Sequence, residues 1–164
     1  MCGINGIYKY AKTFSKEDSE TLMRRMNELV AHRGPDDSGV WTSECGRVTL
    51  GHQRLSIIDL SEAGHQPMSI DSGQTVVFNG EIYNYRELKE NYKDVNFFST
   101  SDTELLLQAY ARNGQDCLKE FNGMYAFSIW DPREESLFLE RDRVCKKPLY
   151  YTNQAGVFAF ASEI

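Results

Sequence analysis

No stretch of this 164-residue chain approaches the roughly 20 consecutive apolar residues that span a bilayer. Its opening, MCGINGIYKY, lacks the basic region and apolar core of a signal peptide. Basic residues are in the minority, 18 Lys plus Arg against 24 Asp plus Glu, for a net charge of −6. A general nucleic-acid binder would need a basic face to displace counterions from phosphates, and Lys146-Lys147 is too short to supply one. The four cysteines form no CxxC pair and have no histidine at zinc-ligand spacing. A chain this long needs no disulfide staples, so Cys45, Cys117 and Cys145 read as ordinary thiols. His32, His52 and His65 are too scattered for a metal set and read as structural or solvent-facing, and Asp36-Asp37 lacks the spacing of a calcium loop. No GxxxxGK[ST] phosphate loop occurs. With 41% hydrophobic residues, the expectation is one soluble cytosolic domain with a proper core and neither membrane nor nucleic acid as partner.

The pattern of elements is mixed. Ile4 to Tyr10 reads as a strand. Ser15 to Asp18 is an N-cap signature, followed by Leu22, Met23, Met26, Leu29 and Val30 at helical spacing. Arg33 to Gly39 holds enough turn formers to predict a loop. Val40 to Thr42 and Arg47 to Leu50 predict a hairpin, and Leu55 to Ile58 a third short strand. Thr75 to Phe78 predicts a buried strand that meets a turn at Asn79-Gly80-Glu81. Asn84 to Glu87 and Ser101 to Glu104 each resemble a capping box, and Gly114 is placed to end the second helix. Met124 to Trp130, Ser136 to Glu140, Leu149 to Tyr151 and Val157 to Ala161 are short β-rich runs with tight turns between them, which forces antiparallel pairing. The chain therefore reads as mostly antiparallel sheet with a few helices packed on it.

Few residues offer chemistry. Cys2 follows the initiator Met, and a small second residue normally allows that Met to be trimmed. A free N-terminal cysteine carries its own base, because an α-amino group titrates at about 7.7–8.0. By itself Cys2 also reads as an incidental second residue. Arg54, beside a predicted buried strand, could fork onto a carboxylate, or make a surface ion pair. The Asn79 amide and the Gly80 N–H could form a donor pair for an oxyanion, although Asn-Gly is equally a hairpin signal. Glu81 and Asp102 could hold an ammonium; Asp102 equally fits first-turn helix charge. Nucleophile, carboxylate fork, donor pair and two carboxylates together are what hydrolysis of a free amino acid's side-chain amide requires, and glutamine has that shape.

These residues lie in segments with a familiar order. MCGINGIY, HRGPDDSG, GHQRLSIIDLS, FNGEIYNYREL, SDTELLL, FNGMYAFSIWD, RDRVCKKPLYY and FASEI resemble, across essentially the whole chain, the class II glutamine amidotransferase domain of glutamine-hydrolysing asparagine synthetases. Related domains of glucosamine-phosphate synthase and the purine amidotransferase usually read YRGYDS and GHxRWAT, where this chain has HRGPDDS and GHQRLSI. The resemblance implies an α+β fold, the four-layer αββα sandwich of N-terminal nucleophile hydrolases with two mostly antiparallel sheets, over residues 1–164.

It also implies roles. Cys2 would attack glutamine to form a thioester, with Asn79 and Gly80 as the oxyanion hole. Arg54 would bind the α-carboxylate, Glu81 and Asp102 the α-ammonium, and Leu55, Ser56, Ile57 and Ile58 would line the pocket. The glutaminase half would need no cofactor; ATP and Mg would belong to a synthetase domain with an SGGLDS-like loop, which this chain does not contain. That domain would be the partner, and ammonia passed to it would turn aspartate into asparagine. Other carboxylate acceptors in polysaccharide or natural-product synthesis, a catalytically silent interaction module, and an autoprocessing hydrolase are the alternatives. Cys145 stands where the family usually has Gly, which strains that turn if it requires a positive φ.

Overall fold

A computed structural model describes residues 1–11 and 15–164. Among the described residues, nine strands make two sheets: β1 (Gly3–Lys9), β2 (Asp37–Thr42), β3 (Val48–Arg54), β4 (Met68–Ser69), β5 (Thr75–Ile82), β6 (Gly123–Asp131), β7 (Ser136–Arg141), β8 (Tyr150–Gln154) and β9 (Val157–Ala161). The first sheet runs β2-β3-β1-β9-β8 and the second β4-β5-β6-β7, and every described pairing is antiparallel. The helices are α1 (Lys16–Leu29), α2 (Tyr85–Lys89) and α3 (Asp102–Asn113). This is the expected α+β sandwich.

Strand alternation sets the layers. Ile4, Val48, Leu50, Val77, Ala126, Trp130 and Phe160 meet between the two sheets. Val76, Phe78, Ile82 and Phe127, with Leu105 and Leu106 of α3, form the core beneath the second sheet. Emptying a position such as the fully buried Phe127 would cost about 3–5 kcal/mol. His52 crosses the sandwich, its Nε2 donating to the Phe78 carbonyl at 3.2 Å. Burial pushes its pKa down to about 3, so the ring is neutral and structural. His32 and His65 stand at the surface against Glu163 and Asp37.

Several local expectations change. Helix α1 does carry its capping box at Ser15 and Asp18, but it buries Ser19, Met23 and Asn27 while Leu22 and Leu29 are exposed. Polar contacts decide this. Asn27 joins three strands, accepting from Asn5 at 3.0 Å and donating to the Gly39 and His52 carbonyls. Strand β2 begins at Asp37, inside the expected loop, because Asp37 to Gly39 pair with β3. Leu55 to Ile58 is no strand; β3 ends at Arg54 and the apolar run leads into a coil. No turn forms at Asn79-Gly80, since β5 continues to Ile82 in register with β6. Asn84 is not a side-chain cap and instead bridges Glu120 and Asn122. Ser101 caps α3, but Glu104 turns away to bind Phe98 and Ser99. Gly114 ends that helix at φ +55°.

The turn after β7 is built on one buried carboxylate. Asp142 accepts the N–H groups of Tyr125, Val144, Lys146 and Lys147. Burial alone would raise its pKa, but these donors outweigh it and hold the carboxyl below its ordinary value. Within this turn Cys145 takes φ +57°, the left-handed conformation that suits glycine. Cys145→Val should therefore lower the unfolding free energy by about 1–2 kcal/mol, whereas Cys145→Gly should not lower it. Urea denaturation of the two variants checks this; equal destabilisation would contradict it.

Candidate active site

Three strands bring their functional ends to one place. Cys2 precedes β1, and the register Gly3↔Gln53 sets it beside Arg54 at the end of β3. Asn79, Gly80 and Glu81 come from β5 of the facing sheet, and Asp102 opens α3. A cavity of about 130 Å³ is lined by Cys2, Arg54, Leu55, Ile57, Ile58, Asn79, Gly80, Glu81 and Asp102. Ser56 is the exception among the expected residues. It lines a neighbouring hollow, its N–H given to Asp36 Oδ2 at 2.7 Å.

The Cys2 sulfur is bracketed by one residue's backbone. Leu55 N–H donates to Sγ at 3.4 Å, and the thiol faces the Leu55 carbonyl at 3.6 Å. Burial pushes the thiol pKa up, while the Leu55 N–H and the positive charges of the N-terminus, Arg54 and Lys147 pull against it. Arg33 anchors the same residue from outside the cavity, its Nε donating to the Cys2 carbonyl at 3.0 Å.

Arg54 is only 7% exposed, and it makes no ion pair among the described residues. Its guanidinium donates to the carbonyls of Ser61 at 2.9 Å and of Asp59. Gly64 leaves the space this requires, since a Cβ there would fall 2.1 Å from Arg54 Nη2. Asp59 pins the surrounding loop by accepting from Ser61 and Thr100, which holds its carboxyl below the usual range.

Strand β5 supplies donors on two faces. Asn79 is 1% exposed, and its Nδ2 has no hydrogen-bond partner among the described residues. N–H groups alternate sides along a strand, so those of Phe78, Gly80 and Ile82 point to one edge. Phe78 N–H goes to Gln66 Oε1 at 2.7 Å and Ile82 N–H to Asp102 Oδ2 at 2.9 Å. Between them the Gly80 N–H faces the cavity. Glycine is required here because a Cβ would sit 2.4 Å from the Met124 carbonyl of β6. Two acceptors thus flank the Gly80 N–H, next to an Asn79 Nδ2 that has no partner among the described residues.

The full chain, residues 1–164, matches the family model described as the glutamine amidotransferase domain. This chain belongs to that family. It is 42% identical over its whole length to a putative glutamine-hydrolysing asparagine synthetase 2 of Methanocaldococcus jannaschii, of which it covers 34%. It is 40% identical to glutamine-hydrolysing asparagine synthetase 3 of Bacillus subtilis, covering 27%, and 41% identical to the amidase chry2 of Gibberella zeae, covering 26%. The chain thus spans about a third or less of the curated relatives it matches. Among solved structures, the glutamine phosphoribosylpyrophosphate amidotransferase of Bacillus subtilis superposes with a TM-score of 0.81 at 19% identity, over 98% of this chain and 42% of that one. That likeness shows the fold, the N-terminal nucleophile hydrolase sandwich. No helix among the described residues is long and apolar enough to cross a membrane.

Residues outside the expected set also line the cavity, chiefly Gln66, Met124 and Lys147. Gln66 holds β5 against α3, bonding Phe78 N–H and the Thr103 hydroxyl. Asp102 is 4% exposed, and burial pushes its carboxyl up to about 6, with Glu81 adding to the rise and backbone donors opposing it. An acid whose pKa is about 4 unfolded and higher when folded holds its proton more tightly in the folded state. Its contribution to stability is therefore lost as pH rises from about 4 through 6. Asp102→Asn keeps the acceptor for Ile82 and should remove this loss, on the order of 2–3 kcal/mol between pH 4 and 7. Denaturant titrations of both proteins across that range test it; parallel curves would refute the assignment.

Proposed function

We propose that this domain hydrolyses L-glutamine to glutamate and ammonia through an N-terminal cysteine thioester. The observation that carries the reading is the buried, unpartnered Asn79 amide sharing one cavity with the Cys2 sulfur. A donor left unsatisfied in a fold costs about 1–3 kcal/mol, and an oxyanion that forms only during reaction is the acceptor that accounts for it.

Removal of Met1 leaves Cys2 with a free α-amine. That amine takes the thiol proton, and the thiolate attacks the side-chain amide carbon of glutamine. The carbonyl oxygen becomes an oxyanion between Asn79 Nδ2 and the Gly80 N–H. Collapse breaks the C–N bond as the α-ammonium returns its proton to the leaving nitrogen, giving ammonia and a glutamyl thioester. Water, with its proton accepted by the α-amine, attacks the thioester through the same donor pair. Glutamate leaves and the thiol is restored. Arg54 is assigned the α-carboxylate of the substrate and Glu81 with Asp102 its α-ammonium. A bound ammonium would draw Asp102 towards its charged form, so glutamine should bind more weakly as pH falls below about 6.

The relatives' greater length supports a synthetase domain as partner. ATP and Mg are assigned to that domain, whereas the proton transfers above are assigned to this chain's own groups. Aspartate is the acceptor favoured by the relatives' names; the similarity to an amidase supports a different acceptor as the second reading.

Glutamate release by protein whose Met1 is absent by intact mass tests the activity. Cys2→Ala should abolish it, and Asn79→Ala should lower kcat by about 10²–10³-fold with KM little changed. Activity unaffected by Cys2→Ala would end the thioester reading.

A further inference from the structure

We propose that Lys147 becomes the electrostatic partner of Cys2 when Met1 is removed, supporting the thiolate and the negative charge that forms on attack. This rests on the reading of Cys2 as nucleophile. Lys147 is 4% exposed and lines the cavity. Its Nζ donates to Met1 Sδ at 3.0 Å, and among the described residues no carboxylate bonds it. A thioether is a weak acceptor, and burying an ammonium costs several kcal/mol unless it is well compensated. The turn around Asp142 nonetheless fixes it in place, taking the Lys147 N–H at 3.0 Å.

Loss of Met1 removes that thioether and puts the α-amine and thiol of Cys2 at the chain start. The other charges facing Cys2 are partly engaged or of the wrong sign. Arg33 gives Nε to the Cys2 carbonyl and Nη1 to Glu163 and does not line the cavity, and Arg54 gives Nη1 and Nη2 to two carbonyls of its loop. Glu81 and Asp102 bring negative charge to the cavity from β5 and α3. Among the described residues Lys147 is therefore the cavity-lining cation that neither a carbonyl nor a carboxylate holds through its charged group. Burial draws its ammonium below the ordinary lysine value and Cys2 is the first influence to oppose that, which fits a mutual interaction. Lys147 keeps its proton throughout; the thiol proton goes to the α-amine.

The test uses protein with Met1 absent by intact mass. Alkylation of Cys2 by iodoacetamide, followed on the N-terminal peptide across pH, is compared in wild type, Lys147→Met and Lys147→Arg. Lys147→Met should move the midpoint up by about one unit and slow alkylation at neutral pH by about three- to tenfold. Lys147→Arg should restore most of the shift, and kcat for glutamine should fall in Lys147→Met with KM little altered. A superimposable profile in folded Lys147→Met, or in Lys147→Gln if the first does not fold, overturns the proposal. The alkylation readout needs no glutamine. A shifted profile in a protein that releases no glutamate would uphold the pairing and sink the substrate, and an unchanged profile in an active enzyme would do the reverse.

Discussion

A buried amide without an acceptor is the constraint around which this domain is arranged. Asn79 is placed by β5 with its nitrogen unsatisfied, at a cost of about 1–3 kcal/mol. The rest of the fold keeps that donor from finding a partner. Gln66 and Asp102 take the neighbouring N–H groups of the same strand edge, and Gly80 lets β5 lie close against β6. Inter-sheet packing of Ile4, Val77 and Phe160 then fixes the distance from β5 to the cysteine before β1. Under the proposed function, the donor that costs the fold stability is the one the oxyanion would use.

The cavity's charges show the same tension. Burial raises the Cys2 thiol and the Asp102 carboxyl towards their neutral forms, which is the reverse of what the proposed thiolate and ammonium-binding carboxylate need. Positive groups, Arg54 and Lys147 among them, offset this at sulfur. A substrate ammonium would offset it at Asp102. In the proposed reaction, binding of the substrate would strengthen the charged form of Asp102, and the positive groups beside sulfur that of Cys2.

Much of this was readable in the chain. The last third announced antiparallel pairing because its strands are separated by tight turns, and β6 to β9 fall within a few residues of the expected runs. Nine of the ten expected site residues share the cavity; Ser56 faces away because Asp36 captures its N–H. The errors have physical causes. Apolar spacing puts Leu22 and Leu29 inside, but the hydrogen bonds that Ser19 accepts from Lys9 and that Asn27 accepts from Asn5 and gives to Gly39 set the buried face of α1. Asn79-Gly80 looked like a turn because local preference cannot register that β6 continues alongside. Lys147 escaped notice since nothing local separates it from Lys146; only the Asp142 turn brings it to the cavity.

In the proposed reaction, carbon becomes bonded to the Cys2 sulfur. Rapid acid quenching of Met1-free protein mixed with glutamine, followed by mass spectrometry of its peptides, measures that directly. A glutamyl adduct on the N-terminal peptide, formed at a rate matching turnover and removed by hydroxylamine, is the predicted result. Glutamate appearing in solution while Cys2 stays unmodified throughout turnover, or an adduct on another residue, would contradict it.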